Sequence, residues 1–351
     1  MRQLARTSLL VLGSIVFVFA VWEIGLSLKY GTDGPHRIVE EFGSPYIHVT
    51  PPGTGQANNM SIRRSDDTLE TPSPGTFRIL SYGDSVGSGY KVGIDEMYAH
   101  VIEQNLNEVG RRQYEVLSMV RGNSPTIYSY HIRADVPRLH PDAVIVEIEL
   151  LNDVSDEAHV ETRGTDEDGL PVELLNYRYI LTYDNHLTAP MPPRIPVLER
   201  TKAYYAATRR LGNWLMWIFG NPVFAEDSDT YYYSIKADRY FLTTEVLDRG
   251  FDAMFDALAG IHRYLRRRDV AFLLVIVPSQ YAYEHERFQP GALRLLARAE
   301  LRASELGLPY LSLHEAMGEA GGAGLYMDFC HPTAEGNRVM GEAIFSAVRD
   351  W

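Results

Sequence analysis

Short, continuous runs of apolar residues alternate along the chain with longer segments in which apolar positions recur every three or four residues. Runs such as 144–146 and 272–277 are typical of parallel strands that are buried on both faces. The alternation predicts an α/β fold, a doubly wound domain of three α/β/α layers around a mainly parallel, five-stranded sheet. The predicted strands are 77–81, 114–119, 143–148, 270–277 and 310–313, and the predicted helices are 98–108, 127–139, 244–267, 292–306 and 332–348.

Two long segments do not fit this alternation. Residues 154–241 separate the third and fourth strands and are too many for an ordinary crossover, so we interpret them as an insertion. Because segments at the carboxyl ends of strands border the ligand crevice in open α/β sheets, we expect a lid or substrate wall. Residues 29–76 are rich in Gly, Pro and Ser and predict a linker with an irregular lead-in. The main domain then spans residues 77–351.

The N-terminal residues 1–28 predict a membrane anchor. From position 9 onward they are apolar apart from Glu23 and a few Gly and Ser, and their length is close to the ~20 residues of a membrane-spanning helix. Arg2 and Arg6 precede the run, so the positive-inside rule predicts a single pass through the cell inner membrane with the main domain on the periplasmic, extracytoplasmic side. A cleaved signal peptide is the alternative, although the residues after Trp22 offer no convincing cleavage site.

Composition and charge narrow the class of protein. A chain of 351 residues that is 45% hydrophobic buries a large core. Its formal charge of −13 argues against nucleic acid as a partner, because such binding needs clustered Lys and Arg. The single cysteine, Cys330, excludes an intramolecular disulfide and a cysteine-based zinc site. No other group has metal-ligand spacing, so we expect neither a metal nor a cofactor.

Three polar segments that are far apart in the sequence suggest one hydrolytic site. Gly83-Asp84-Ser85 follows the first predicted strand, Asn152 follows the third, and Asp328 and His331 precede the last helix. A spacing of three lets the Asp328 carboxylate accept the imidazole Nδ1–H, which leaves Nε2 to take the Ser85 proton. The Asn152 amide can donate to an oxyanion. Alone, the first segment is also explained by a capped turn and Asn152 by an Asx turn.

These segments resemble the blocks of the SGNH (GDSL-type) hydrolase superfamily, which is named for a Ser, a Gly, an Asn and a His. The resemblance implies a flavodoxin-like fold with Ser85 as the nucleophile and as a backbone oxyanion donor. It implies Gly122 as a second backbone donor and Asn152 as a side-chain donor. Asp328 and His331 correspond to the Asp-x-x-His pair of the family's last block.

The resemblance covers residues 77–154 and 270–351, and the chain departs from the family pattern at two places. Leu150 stands where the family usually has a Gly, two places before the Asn. An alignment without a gap puts Asn123, rather than Gly122, at the glycine of the second block. We assign the role to Gly122 because its tripeptide, Gly-Asn-Ser, resembles the family's Gly-Asp-Thr/Ser run.

The anchor, the Pro-rich lead-in and the run Val277-Pro278-Ser279-Gln280-Tyr281 resemble membrane-anchored bacterial members associated with acylation or deacylation of polysaccharides. The resemblance implies a serine esterase that hydrolyses O-acyl esters, foremost O-acetyl esters, on an extracytoplasmic carbohydrate through an acyl-enzyme. One alternative is a polysaccharide O-acyltransferase that uses the same triad within a polysaccharide-modifying assembly. Two others are a lipase, lysophospholipase or thioesterase, and a non-catalytic carbohydrate-binding assembly protein.

Overall fold

A computed structural model describes most of the chain outside the N-terminal region and the centre of the insertion. The described residues are 62–120, 122, 124–158, 160, 162–174, 244–284 and 288–351, together with Ser14, Val18, Ala20, Val21, Trp22, Ile24, Asn58 and Met60. The chain divides into two compact units, and every strand and helix named below belongs to the larger one, which comprises residues 46–176, 223–238 and 242–351.

The central sheet has five parallel strands, and a separate hairpin supplies two more. The central strands are β1 (Thr76–Gly83), β2 (Gln113–Val120), β3 (Ala143–Glu149), β6 (Ala271–Val277) and β7 (Tyr310–Ser312), and the hairpin strands are β4 (Thr162–Thr165) and β5 (Pro171–Leu174). Their order in the sheet is β2-β1-β3-β6-β7, with every pair parallel. This is the flavodoxin-like doubly wound order, so the predicted fold class is confirmed.

Seven α-helices join and cover these strands. They are α1 (Tyr98–Val109), α2 (Pro125–Leu139), α3 (Leu150–Glu157), α4 (Thr244–Arg266), α5 (Gln289–Glu305), α6 (His314–Ala320) and α7 (Ala334–Val348), counted over the described residues. Helices α1 and α7 pack closely, since a Cβ on Gly341 of α7 would lie 2.6 Å from the Val101 Cβ of α1. Strand β3 is buried along its whole length, as its apolar run predicted.

The sheet order determines where a site can form. Strand β2 pairs with one edge of β1, and β3, which follows it in the sequence, pairs with the other edge. In such sheets the crevice lies beyond the carboxyl ends of the strands at this reversal. The predicted nucleophile follows β1 and the predicted amide donor follows β3, so the topology brings both to one edge.

The last helix begins later than predicted. Pro332 was expected to be the first residue of the last helix, but α7 begins at Ala334 and is capped by Thr333, whose Oγ1 accepts the Gly336 N–H at 3.1 Å. Pro332 instead pairs with Tyr326 in an isolated bridge. The prediction was wrong because a capping Thr competes with a Pro for the start of a helix and satisfies one of its free N–H groups.

Part of the predicted insertion lies within the described residues. Its first part completes α3 and forms the β4–β5 hairpin, whose Asp168 pairs with Arg267 at 2.7 Å just beyond α4. The rest, residues 175–241, lies outside the described residues, and the lid or wall remains a prediction. Among the residues that are described, no helix is long and apolar enough to cross a membrane. The predicted anchor falls almost entirely outside them.

A buried arginine on β1 ties the lead-in to the sheet. The Arg78 side chain is 1% exposed and donates to Glu115 Oε2 at 2.7 Å. It also donates to the carbonyl oxygens of Leu69, Glu70 and Leu139 at 2.7–2.8 Å. Because a guanidinium carries five donors in a fixed plane, one side chain holds the lead-in, β2 and the end of α2 together.

We predict that Arg78→Leu destabilises the fold by about 3–5 kcal/mol, because it removes a buried guanidinium and leaves a half-buried carboxylate and three carbonyls without their donor. Urea unfolding would measure the change. The matched control is Arg111→Ala, which removes an exposed pair with Asp350 and should cost less than about 1 kcal/mol. Equal losses for the two variants would contradict the role of Arg78.

Candidate active site

The structure brings Ser85, His331 and Asp328 together. His331 Nε2 lies 2.8 Å from Ser85 Oγ, although 246 positions separate the two residues in the sequence. The other ring nitrogen, Nδ1, lies 2.8 Å and 2.9 Å from the two carboxylate oxygens of Asp328. All three distances are those of hydrogen bonds, so the three side chains form a continuous line from the hydroxyl to the carboxylate.

The loop before α7 holds the Asp328–His331 pair. Its ends are closed by the Tyr326–Pro332 bridge and by a hydrogen bond from Met327 N–H to the His331 carbonyl at 2.8 Å. Within the loop, Asp328 Oδ1 accepts the backbone N–H of Cys330 and that of His331. The carboxylate is therefore held by the loop's own backbone as well as by the imidazole.

The Asp328 carboxyl stays ionised at neutral pH. Burial by itself raises the pKa of this carboxyl, but hydrogen bonds from the His331 backbone and imidazole and from the Cys330 backbone lower it, and the net pKa lies below the ordinary value. An ionised carboxylate fixes the proton on Nδ1 and leaves Nε2 with a lone pair toward Ser85. This is the protonation state that a general base requires.

Glycines at two positions let the chain turn sharply after β1. A Cβ on Gly83 would lie 2.3 Å from Glu147 Oε2, and one on Gly87 would lie 2.8 Å from the Gly83 Cα. Asp84 stabilises the same turn, since its Oδ1 accepts the Val86 N–H at 2.8 Å. The turn places Ser85, half-buried, at the edge of the sheet, whereas Asp84 is buried.

Asn152 occupies a different environment from the one that the sequence suggested. It lies in the first turn of α3, is 4% exposed, and donates from Nδ2 to Asp84 Oδ2 at 2.8 Å and to Asp156 Oδ2 at 2.9 Å. These two bonds account for both hydrogens of the amide. As an oxyanion donor, Asn152 would have to give up one of them.

The second predicted oxyanion donor, Gly122, lies just beyond the end of β2. Its φ is +138°, and a Cβ there would lie 2.4 Å from Ile127 Cγ2, so the position requires glycine. Asn123, the rival assignment, lies outside the described residues. The family-pattern departure, Leu150, is a buried residue at the start of α3.

Buried carboxyl groups lie beneath the nucleophile turn. Glu147, on β3, is fully buried, and its burial, together with the charges of Asp84 and Glu149, raises the pKa of its carboxyl well above the ordinary value. Burial likewise raises the pKa of Asp153, and neighbouring carboxylates raise it further. Both groups therefore keep their protons to a higher pH than ordinary carboxyl groups do, which reduces the negative charge beneath the turn.

Tyr90 borders the site from the same turn as the nucleophile. Its ring centroid lies 4.4 Å from that of the His331 imidazole, and the side chain is 42% exposed. Sequence analysis did not identify it, because a tyrosine five positions after a serine belongs to no recognised pattern. An exposed aromatic residue therefore borders the line of hydrogen bonds.

Of the residues that the structure describes, one group brings metal-ligand atoms together: Asp328, Cys330 and His331. The His331 nitrogens already face the Asp328 carboxylate and the Ser85 hydroxyl, so the hydrogen bonds account for the arrangement. Cys330 is buried, with Sγ 3.5 Å from His331 Nδ1.

Among solved structures, the chain is similar to a putative lipolytic protein of the G-D-S-L family from Desulfitobacterium hafniense, with 13% identity, coverage of 77% of this chain and 99% of that one, and a TM-score of 0.38. It is similar to the acetyl xylan esterase AlAXEase, with 13% identity, coverage of 78% and 100%, and a TM-score of 0.40. A variant of an acetyl-xylooligosaccharide esterase from Geobacillus has 12% identity, coverage of 79% and 95%, and a TM-score of 0.43.

These neighbours are GDSL-type hydrolases and esterases, the class that the sequence motifs resemble. No protein-family model and no curated protein matches the sequence. At these identities and TM-scores the likeness assigns no activity to the chain. The function has to be inferred from the geometry of its own site.

We predict that Glu147→Gln stabilises the protein increasingly as the pH rises. A raised pKa means that the folded state binds the proton more tightly, so this contribution to stability is full below the pKa of the unfolded chain and is lost as the pH rises toward the folded pKa. The Gln side chain of the variant does not titrate, so the variant does not lose this stability as the pH rises. Between the unfolded and the folded pKa of Glu147, the stability difference between variant and wild type should grow by up to about 1.4 kcal/mol per pH unit, and above the folded pKa it should stay constant.

Urea unfolding between pH 5 and 8 would measure this difference. Glu108→Gln, at an exposed position on α1, is the control and should show no such slope. A flat difference for Glu147→Gln over the whole range would show that the buried carboxyl titrates normally.

Proposed function

We propose that this chain is a serine hydrolase that cleaves carboxylic esters through an acyl-enzyme on Ser85. One observation carries the proposal: His331 Nε2 lies 2.8 Å from Ser85 Oγ while Nδ1 is held by the Asp328 carboxylate. A hydroxyl is a weak nucleophile unless an adjacent base takes its proton, and an imidazole oriented by a carboxylate is the usual base.

The first half of the reaction follows from this arrangement. Ser85 Oγ attacks the ester carbonyl carbon as its proton moves to His331 Nε2, and the charged Asp328 stabilises the imidazolium. The tetrahedral intermediate collapses, the bond to the alcohol oxygen breaks, and the imidazolium returns its proton to the leaving alcohol. An acyl group then remains on Ser85, and His331 is again neutral.

The second half uses the same groups with water in place of the alcohol. His331 Nε2 takes a proton from water as the oxygen attacks the acyl carbon, and the proton then passes to Ser85 Oγ as the carboxylic acid leaves. We assign the oxyanion to the backbone N–H groups of Ser85 and Gly122, both in tight turns at the carboxyl ends of adjacent strands. Asn152 joins them if a substrate draws its amide away from Asp84 or Asp156.

For the substrate, we propose an O-acyl ester, foremost an O-acetyl ester, on an extracytoplasmic carbohydrate. The support is the likeness of the sequence to membrane-anchored bacterial members of the superfamily. Tyr90, an exposed aromatic residue beside His331, is also of the kind that binds sugar rings. The location follows from the predicted anchor in residues 1–28, which leaves the domain outside the cytoplasm.

The central test is covalent labelling of the purified protein by a serine-directed phosphonate. We predict that the label attaches to Ser85, located by mass spectrometry, because the imidazole activates this hydroxyl alone. Ser85→Ala should abolish labelling, whereas Ser346→Ala, at an exposed position on α7, should label like the wild type. A wild type that does not react, or that reacts at another serine, would contradict the proposal.

The orienting carboxylate gives a second prediction. Asp328→Asn should lower kcat by roughly 10⁴-fold, the scale found when a triad carboxylate is replaced by an amide, because the imidazole then adopts the wrong tautomer. Ester hydrolysis would be followed with nitrophenyl acetate. Asp350→Asn, an exposed change outside the site, is the control. A loss of only a few-fold for Asp328→Asn would argue against this mechanism.

Product analysis addresses the substrate. Nitrophenyl esters of graded chain length should be cleaved best when the acyl group is short, and acetylated polysaccharides should release free acetate. A preference for long chains would indicate a lipase or thioesterase. Acetate transferred to an acceptor sugar, rather than to water, would identify a transferase that uses the same triad.

A further inference from the structure

One side chain of the lead-in reaches the nucleophile turn. The Arg63 guanidinium donates from Nη1 to the carbonyl oxygens of Ser88 and Gly89, and from Nη2 to that of Val92. Hydrogen bonds from a charged donor are roughly twice as strong as neutral ones. Arg63 therefore binds three carbonyls of the segment that follows Ser85.

The segment that Arg63 binds is strained. Gly89 has a φ of +62°, and Lys91, which is not a glycine, has a φ of +60°. A Cβ on Gly89 would lie 2.6 Å from Met97 Cγ, so that position requires glycine. A left-handed residue other than glycine costs about 1 kcal/mol or more and persists where its surroundings hold it. The three hydrogen bonds from Arg63 supply such a restraint.

The same segment contacts the site at two points. The Tyr90 N–H donates to the Ser85 carbonyl at 3.0 Å, and the Tyr90 ring lies 4.4 Å from the His331 ring, centroid to centroid. Tyr90 lies between the carbonyls that Arg63 binds. A shift of this segment would therefore move the nucleophile's own backbone and the ring that packs on the base.

Arg63 is itself held in place by the lead-in. Its neighbour Ile62 is 1% exposed. The Ile62 N–H donates to Asn58 Oδ1 at 3.1 Å. Because the backbone beside Arg63 is fixed, its guanidinium can restrain the turn that it binds.

We infer that Arg63 is a positioning residue for the proposed reaction, on which this inference rests. By holding the carbonyls of Ser88, Gly89 and Val92, it fixes the strained turn so that Ser85 and the Tyr90 ring keep His331 in its reactive orientation. It touches no reacting atom. The lead-in is then part of the catalytic apparatus and not only a connection to the predicted anchor.

The experiment compares Arg63→Ala, Arg63→Lys and Arg64→Ala in the full chain. We expect Arg63→Ala to lower kcat on nitrophenyl acetate and the rate of phosphonate labelling at Ser85 by the same factor, about 10²-fold, with KM within about two-fold, because the groups are misplaced while binding is retained. Arg63→Lys should restore only part of both rates, since one ammonium cannot bind three carbonyls in fixed directions.

Arg64→Ala is the matched control. It removes the bidentate pair of Arg64 with Glu103 of α1, at 2.7 Å and 3.0 Å, and among the described residues it removes no hydrogen bond to the turn. It should therefore lower the melting temperature but keep kcat per folded molecule. Arg63→Ala with an unchanged kcat and labelling rate would overturn the inference. The inference would also be overturned if Arg63→Ala and Arg64→Ala lost activity equally and only in proportion to the fraction of unfolded protein. If Arg63→Ala does not fold, Arg63→Lys decides: full activity and labelling would overturn the inference, and a parallel loss of both rates would support it.

The wild type separates the two proposals. Absence of labelling at Ser85 in the wild type would overturn the proposed function and, with it, the role of Arg63. Labelling of the wild type with unchanged rates in the Arg63 variants would overturn the role of Arg63 alone.

Discussion

The hydrogen bond between His331 Nε2 and Ser85 Oγ is the interaction on which the account of this protein depends. It joins the turn after the first strand to the loop before the last helix. Neither segment is catalytic by itself. Without the other, Ser85 would be an ordinary turn residue and His331 an ordinary loop residue. The sheet order makes the bond possible, because the reversal beside β1 opens a crevice at its carboxyl end.

The site places buried acids beside the turn that carries Ser85 and beside the Asn152 amide. Asp84 connects them, since its carboxylate accepts from the turn that carries Ser85 and from the Asn152 amide. Burial raises the pKa of Glu147 and of Asp153, so these carboxyl groups keep their protons to a higher pH than usual. When protonated, Glu147 adds no second negative charge against Asp84 beneath the glycines of the nucleophile turn. The acids thus hold the turn and the amide in place.

The central strands could be located from the sequence, because buried parallel strands contain continuous apolar runs. Each of them was predicted to within two residues of its observed bounds. The Asp328–His331 pair was also accessible, since its spacing of three is local. The sequence also contains a sign of the buried acids, because Glu147 is a charged residue within the apolar run of β3. The start of α7 was placed too early because the cap at Thr333 was not recognised.

The remaining contacts could not be derived from local pattern. Asn152 bonds to Asp84 across the sheet edge, and Arg63 reaches the turn from an irregular segment with no periodicity. Both depend on how distant segments meet.

The most direct test is a crystal structure of the protein after reaction with a phosphonate. The account predicts phosphorus bonded to Ser85 Oγ, with His331 Nε2 still adjacent. An unmodified Ser85, with the imidazole turned away from it, would contradict the account.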